Sequence, residues 1–255
     1  MKDCVLVYNM DDSSTLKILY ETTLDKFYVP FCRIIEKYTA VAIAETNELR
    51  ICSMVDAREI AKYKFKDPIR TICSLGEAIY IGFDSEVVKL SIDSPTLSSV
   101  ISLPSANITS IQAISDSTLF LCCIDGGIAF VNTMTGEITS RRSVRFPPTC
   151  SYLRDNVLVI GCYDGHVLVI GLIPEFRIIM EIQAHTRPVN TVAIMEDGTV
   201  ISGSSDSLIC MIDPKAESVQ TSLMKHSIVT GVISDRTNIY VSCYDYPTII
   251  MLKKK

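Results

Sequence analysis

Short apolar runs separated by polar turns recur along the whole chain. The turns are spaced by 35 to 42 residues and fall at seven positions: Asp12, Asn47, Ser85, Asp125, Asp164, Asp206 and Asp245. Each turn lies between two runs rich in β-branched residues, for example Val157–Gly161 before Asp164 and Val167–Ile170 after it. Such a pattern is typical of an antiparallel β-hairpin. We therefore expect seven hairpins and almost no helix.

Prolines at one phase of this period indicate where each unit begins. Five of them shortly precede a new apolar run: Pro30, Pro68, Pro104, Pro148 and Pro188. Because proline lacks a backbone N–H donor, it belongs in connections and at strand starts. The segment His185–Met224 then predicts a complete unit of four strands, at Val189–Met195, Thr199–Gly203, Leu208–Ile212 and Ser218–Leu223. Four strands in about 40–45 residues is the size of one β-propeller blade.

The pattern therefore predicts an all-β propeller that occupies residues 1–255 as a single domain, with seven four-stranded blades. The last unit stops after a third strand at Leu252, which leaves one blade incomplete or closed jointly by both termini. The segment Met1–Pro30 predicts one hairpin, Cys4–Asn9 with Thr15–Glu21, and a further strand at Lys26–Val29. An alternative is six blades, with the N-terminal hairpin as an accessory.

Composition narrows the functional classes. Hydrophobic residues make up 48% of the chain, which is enough for a continuous core. The net charge of -5 gives no general attraction to DNA, and no segment approaches the ~20 apolar residues of a membrane span. The ten cysteines are scattered, and three of them, Cys123, Cys162 and Cys243, share one strand position. They are expected to be buried thiols in a reducing compartment, and Met1–Cys4 does not resemble a signal peptide, so we expect a cytoplasmic protein.

The unit that begins at His185 carries the most specific motif. Its second strand and turn read Ser202-Gly203-Ser204-Ser205-Asp206, and its third strand ends in Ile212-Asp213. This unit resembles the WD-repeat family, and the resemblance implies that His185, Ser202 and Asp206 form a hydrogen-bonded network that locks the blade. Ile212 stands where the family has tryptophan, and the chain has no tryptophan. The resemblance also implies a non-enzymatic scaffold that binds proteins or peptides. The alternative is a stoichiometric structural component of a cytoskeletal, ciliary or ribonucleoprotein complex.

Candidate binding residues come from the position just before the turn residue of each unit. Tyr163 and Tyr244 occupy it in two units, and Ile124 and Asp84 occupy it in two others. Tyrosine offers a large, rigid contact area with a polar tip, which is the profile of an interface anchor. Arg187 lies in a loop predicted at the same end of the blades, where it could pair with an acidic group of a partner. The competing interpretation is that the tyrosines only cover the edge of the core.

Catalytic chemistry has little support in this sequence. The three histidines, His166, His185 and His226, belong to different units, so their convergence on a metal is not expected. His185 and His226 share one phase of the repeat, which favours a structural role. His166 follows a turn and is expected to be exposed. No phosphate-binding or dinucleotide-binding glycine motif is present. We therefore expect no enzyme activity, no cofactor and no metal.

Overall fold

The computed structural model describes residues 3–8, 16–22, 31–35, 40–45, 47–53, 58–93, 96–103, 106–173, 175–224, 227–236, 238–244 and 246–253. Within these ranges, the side chains of residues 3–41, 43, 45, 246–248 and 253 are not described. The chain divides into two compact units. The first consists of residues 1–108 with 133–137, and the second consists of residues 109–132 with 138–255.

Ten strands are described in the first unit. They are β1 Asp3–Tyr8, β2 Leu16–Thr22, β3 Phe31–Ile35, β4 Ala40–Glu45, β5 Glu48–Ser53, β6 Glu59–Lys64, β7 Thr71–Leu75, β8 Ala78–Gly82, β9 Glu86–Ser91 and β10 Thr96–Ser102. Strands β1 and β2 form a two-stranded sheet, β3 to β6 form a four-stranded sheet, and β7 to β10 form another. Neighbouring strands in these sheets are antiparallel.

Fifteen strands are described in the second unit, the first of which begins one residue before the boundary. They are β11 Ile108–Ser115, β12 Thr118–Cys123, β13 Gly127–Asn132, β14 Ile138–Ser143, β15 Pro148–Arg154, β16 Val157–Cys162, β17 His166–Gly171, β18 Arg177–Gln183, β19 Val189–Ile194, β20 Val200–Ser204, β21 Leu208–Asp213, β22 Ser218–Leu223, β23 Val229–Ser234, β24 Asn238–Cys243 and β25 Tyr246–Lys253. They form three four-stranded sheets and one three-stranded sheet, each in chain order.

The predicted strand pattern is confirmed in both units. The sheet of β19 to β22 has the four strands expected for His185–Met224, with ends that differ by one residue at most. The last sheet, β23 to β25, has three described strands, as the missing fourth run predicted. The N-terminal hairpin is present as β1 and β2. The predicted turns at Asp12 and Asp245, the strand at Lys26–Val29 and His226 lie outside the described residues.

Burial changes regularly from the middle to the edge of each complete sheet. Strand β16 is apolar and buried along almost its whole length, and the fourth strand β22 is exposed at every position. A continuous apolar run is expected when both faces of a strand are covered. Residues of adjacent sheets share cores, for example Val159 of β16 with Val189 of β19 and Cys210 of β21. The middle strands are therefore packed on both faces, whereas the fourth strands face solvent.

The first strands of successive sheets in the second unit lie side by side. Strand β19 contacts β15 on one side and β23 on the other. Polar side chains bond across these contacts to positions about 40 residues further along the chain. Thr149 Oγ1 donates to the carbonyl of Val189, and Asn190 Nδ2 donates to that of Val229 at 2.9 Å. The buried hydroxyls of Ser110 and Ser151 lie 2.7 Å apart. The first strands therefore run in register, which places their starts at one end of the unit.

Two of the predicted aspartate turns use glycine for its backbone freedom. Gly126 follows Asp125 with a φ of 87°, and Gly165 follows Asp164 with a φ of 95°. Side chains rarely tolerate this left-handed region, which glycine enters without steric cost. Each glycine N–H also donates to the carbonyl three residues earlier, at 3.0 Å for Gly126 and 3.3 Å for Gly165. The Asp-Gly pairs therefore form the tight turns that the sequence predicts.

Candidate functional site

His185 is the centre of a buried network at the start of the sheet of β19 to β22. Its Nε2 lies 2.8 Å from Ser202 Oγ, and its Nδ1 lies 3.1 Å from Asp206 Oδ1. Ser202 is fully buried in β20, and Asp206 lies in the turn between β20 and β21. The structure therefore brings together the three residues that the sequence singles out. A thiol also contacts this network: Cys210 Sγ lies 3.9 Å from His185 Nδ1 and donates to the carbonyl of Ala184.

The protonation of this network follows from its surroundings. Burial lowers the pKa of His185 below its ordinary value of 6.5, although the nearby Asp206 carboxylate opposes that shift. Burial alone would raise the pKa of Asp206, but hydrogen bonds from the backbone of Thr186 and Leu208, together with His185, bring it below 3.8. The carboxylate is therefore ionised and His185 is neutral near pH 7. In that state Nδ1–H donates to Asp206, and Nε2 accepts the hydroxyl proton of Ser202.

The place of the family's tryptophan is taken by an aliphatic side chain. Ile212 is fully buried in β21, where it pairs with Val200 of β20. An isoleucine packs in the core but offers no N–H donor. The chain of hydrogen bonds therefore ends at Ser202, as the sequence indicates.

The residues before the turn aspartates share one backbone contact. The N–H groups of Tyr163, Ser205 and Tyr244 donate to the carbonyls of Pro147, Pro188 and Ile228, which precede the first strands of their own sheets. The distances are 2.8, 3.0 and 2.9 Å. Because those first strands run in register, the three residues lie at one end of the second unit. We call this end, with Ile124 at the corresponding place after β12, the turn end.

Large side chains are exposed at this turn end. The exposed fractions are 61% for Tyr163, 47% for Ile124 and 46% for Tyr244. Arg187 is also exposed, and its backbone carbonyl accepts a hydrogen bond from Ser204 Oγ. Ser205 is half-buried and bonds to Asn190 instead. The turn end thus presents three apolar or aromatic groups and an arginine to solvent.

Asp84 belongs to the first unit and differs from the other candidates. Its carboxylate forms a two-point ion pair with the guanidinium of Arg70, at 2.6 Å and 3.2 Å. Both side chains are about half exposed. The Asp84 carboxylate, which the sequence suggests for partner binding, is therefore already paired with Arg70.

The prediction that His166 is exposed is wrong. The sequence predicts an exposed ring, but only 17% of the side chain is exposed. The ring stacks on Phe146 with the centroids 3.7 Å apart, and its Nδ1 lies 2.9 Å from Asp164 Oδ2. The reason is tertiary, because Phe146 comes from the connection between β14 and β15 and packs against the core of the neighbouring sheets.

Sequence reasoning missed Arg145 and Phe146. They precede Pro147-Pro148 in the connection that corresponds to the one holding Arg187 and Pro188. The Arg145 guanidinium carbon lies 5.4 Å from the centroid of the Phe146 ring. The signal that could have found them is an arginine within three residues of the proline in two successive connections.

The described part of the chain has no group of three or more His, Cys, Asp or Glu side chains arranged to hold a metal ion. It also contains no helix long and apolar enough to span a membrane. The described cysteines carry thiols and not disulfides: Cys52, Cys73, Cys122, Cys123, Cys150, Cys162, Cys210 and Cys243. All of these except Cys150 are buried, so they act as small core side chains.

The fold class follows from the strands and the network together. The described residues are all-β, and their successive four-stranded antiparallel sheets are consistent with a WD-repeat β-propeller of about six to seven blades. Residues 176–213 match the WD40 family model, described as WD domain, G-beta repeat. The matched segment contains His185, Ser202 and Asp206 and ends directly after Ile212, which supports the WD-repeat family. No curated protein matches the chain.

WD40 repeats generally mediate protein–protein interactions as scaffolds, and the family is generally non-enzymatic.

Proposed function

We propose that this protein is a non-enzymatic scaffold that binds other proteins through the turn end of its second unit. One observation carries the proposal. Tyr163 and Tyr244 are the residues before the turn aspartate in two non-adjacent sheets, and both are exposed. Single exposed aromatic side chains are common on protein surfaces. Recurrence at the same position, with Ile124 exposed at a third, indicates a surface kept apolar for contact.

The chemistry of these side chains supports protein binding. Tyrosine buries a large area at small entropic cost, because it has only two rotatable side-chain bonds, and its hydroxyl keeps a hydrogen-bonding group at the rim. The backbone hydrogen bonds of Tyr163 and Tyr244 fix the start of each side chain relative to its sheet. A partner would therefore meet anchors whose positions are already set.

The cellular compartment and the assembly state of the protein are also part of the proposed function. We infer that the protein works in the cytoplasm within a larger assembly, as one domain over residues 1–255. The buried thiols support a reducing compartment. Fractionation of a native extract by size, with detection of the protein, tests the assembly. Elution at the mass of the chain alone would contradict it, and elution in a large particle would agree with it.

A narrower relationship is also proposed. The phrases Gly161–Val167, Ile182–Arg187 and Ser242–Asp245 in the second half are similar to WD repeat-containing protein 54. The similarity rests on those phrases alone.

The decisive experiment removes the two tyrosines together. The Tyr163→Ala, Tyr244→Ala double variant is compared with the wild-type protein by affinity purification from native cells and quantitative mass spectrometry. Tyr152→Ala is the matched control, because Tyr152 is also an exposed tyrosine of the second unit but lies within β15. We expect the specific co-purifying proteins to be lost with the double variant and kept with the control. An unchanged set of partners would overturn the proposal.

A further inference from the structure

We infer that the surface formed by Arg145, Tyr163 and Arg187 binds an acidic segment of a partner protein. This inference rests on the proposed scaffold function and adds the chemistry of the partner. We call this surface the arginine patch. Tyr163 lies in its centre, and each arginine comes from one of the connections that flank the turn between β16 and β17.

Backbone contacts place the three residues together. Tyr163 N–H donates to the carbonyl of Pro147, two residues after Arg145. On the other side, His185 N–H donates to the carbonyl of Gly165 at 3.1 Å. Gly165 also packs closely against the carbonyls of His185 and Arg187, which leaves no room for a side chain there. The turn that carries Tyr163 is therefore held between the connection of Arg145 and that of Arg187.

Arg145 is held by stacking. Its guanidinium lies over Phe146, and Phe146 in turn stacks on the ring of His166. Phe146 packs against the core, so it is a firm support for the exposed arginine. A guanidinium on an aromatic face keeps its N–H donors in the plane of the group, where they can reach an acceptor. No ion pair or hydrogen bond joins the Arg145 side chain to another described residue.

The carboxylates near the patch are already engaged by the protein. Asp164 accepts hydrogen bonds from the backbone and ring of His166. Asp206 is bonded to His185 and to backbone N–H groups, and only 6% of its side chain is exposed. Asp125 accepts from Gly127 N–H. These bonds hold the acidic groups within their own turns. Arg187, by contrast, is exposed and its side chain makes no ion pair or hydrogen bond with the described residues.

Further charges lie near the patch. Arg141 and Arg142 are exposed on β14. Burial and the Asp125 carboxylate raise the pKa of Cys123 to about 11, and Arg141 partly offsets this increase. Glu181 is exposed on β18 and adds one negative charge. Among these residues the exposed arginines are Arg141, Arg142, Arg145 and Arg187, and Glu181 is the exposed carboxylate outside the turns. Arginines on the two connections that flank the turn of Tyr163 offer guanidinium groups to carboxylate or phosphate groups spaced along an extended peptide.

A peptide fits better than a nucleic acid. The chain as a whole carries a net charge of -5, so a long polyanion would be repelled by most of its surface. A short acidic segment needs only the local arginines. Its binding should depend on Arg145 and Arg187 and should weaken as salt screens the charges.

The test measures direct binding by fluorescence anisotropy with labelled synthetic probes. The probes are a short glutamate-rich peptide, a phosphoserine peptide of the same sequence frame, the matched glutamine peptide and a single-stranded oligonucleotide. The proteins are the wild type, the Arg145→Gln, Arg187→Gln double variant and Arg177→Gln. Arg177 is an exposed arginine at the other end of β18, so it makes the same charge change away from the patch. Thermal unfolding checks that each variant is folded.

We expect one of the two anionic peptides to bind and the glutamine peptide to bind at least about tenfold more weakly. The double variant should lose about tenfold or more in affinity, and Arg177→Gln should change it by less than about twofold. Which peptide binds more tightly distinguishes carboxylate from phosphate as the recognised group. Equal binding of the glutamine peptide, no binding of either anionic peptide, or an equal loss with Arg177→Gln would overturn the inference. Tighter binding of the oligonucleotide would also overturn it.

The inference and the scaffold function fail separately. If the tyrosine double variant loses its cellular partners while the arginine double variant keeps both partners and peptide affinity, the scaffold function stands and the acidic partner is wrong. If the tyrosine variant keeps every partner, the scaffold function itself fails.

Discussion

Gly161 of β16 packs directly against Val189 of β19. A Cβ on this glycine would lie 2.6 Å from Val189 Cγ1 and 2.7 Å from Cys150 Sγ. Gly203, at the same place in the next sheet, packs equally closely against Val229. In two successive sheets, a glycine in the second strand therefore allows the first strand of the following sheet to approach closely.

This contact predicts that Gly161→Ala is destabilising. The added methyl group has to displace the β-branched Val189 and the half-buried Cys150, and overpacking of this kind costs about 1–3 kcal/mol of the free energy of unfolding. Urea denaturation measures the change. Gly171→Ala is the matched control, because its Cβ would meet only the flexible end of Ile179 at 3.3 Å, and we expect it to change stability by less than about 1 kcal/mol. Equal stability of the two variants would contradict the packing argument.

The Ser202 hydroxyl is predicted to stabilise the buried network. Ser202→Ala leaves His185 Nε2 as a buried acceptor without its donor, which should cost about 1–3 kcal/mol of the free energy of unfolding. The measurement is again urea denaturation. Ser222→Ala removes the same hydroxyl from the exposed strand β22, and a change within about 0.5 kcal/mol is expected there. A loss for Ser202→Ala no larger than the control's would show that the hydrogen bond contributes little.

Stability should fall as the solution becomes acidic, beginning near the ordinary pKa of histidine. Because burial lowers the pKa of folded His185 below 6.5, the unfolded chain binds a proton there before the folded protein does. The stabilisation is therefore complete above about pH 6.5 and is lost as the pH falls toward the folded pKa. Asp206, with a pKa below 3.8, adds a second loss that begins only below about that pH.

The denaturation midpoint measured at several pH values between about 7.5 and 5 tests the histidine contribution. The His185→Gln variant should show a flatter dependence in that window than the wild type. An identical slope for His185→Gln and the wild type would assign the pH dependence to other groups.

Three thiols are predicted to resist alkylation in the native protein: those of Cys162 and Cys210, which are buried, and that of Cys150, which is half-buried. Burial raises the pKa of Cys150, Cys162 and Cys210 from 9.0 to about 12, with smaller contributions from neighbouring groups. Since the thiolate is the reactive form, its fraction at neutral pH falls on the order of a thousandfold. Mass spectrometry after brief iodoacetamide treatment should find these three unmodified in the native protein and fully modified in guanidinium. Comparable rates in the two states would contradict their burial.

The sequence by itself determined the strands and turns. The four strands of His185–Met224 are present within one residue, and Asp164-Gly165 forms its tight turn. These features depend on neighbours along the chain, namely the run of apolar residues, the missing donor of proline and the backbone freedom of glycine. The meeting of His185, Ser202 and Asp206 could also be expected, because the three lie in one sheet and its motif resembles that of a known family.

Only the tertiary structure decided the contacts between separate sheets and connections. The stack of Phe146 on His166 and the approach of Val189 to Gly161 join residues about 20 to 30 positions apart. Their side chains meet because of how one sheet packs on the next, and no local pattern encodes that distance. The pairing of Asp84 with Arg70 and the hydrogen bond from Tyr163 to Pro147 lie instead beside the paired ends of β7–β8 and β15–β16, so they follow from strand register within one sheet. The surface chemistry of the turn end therefore follows from packing, whereas the turns themselves follow from the sequence.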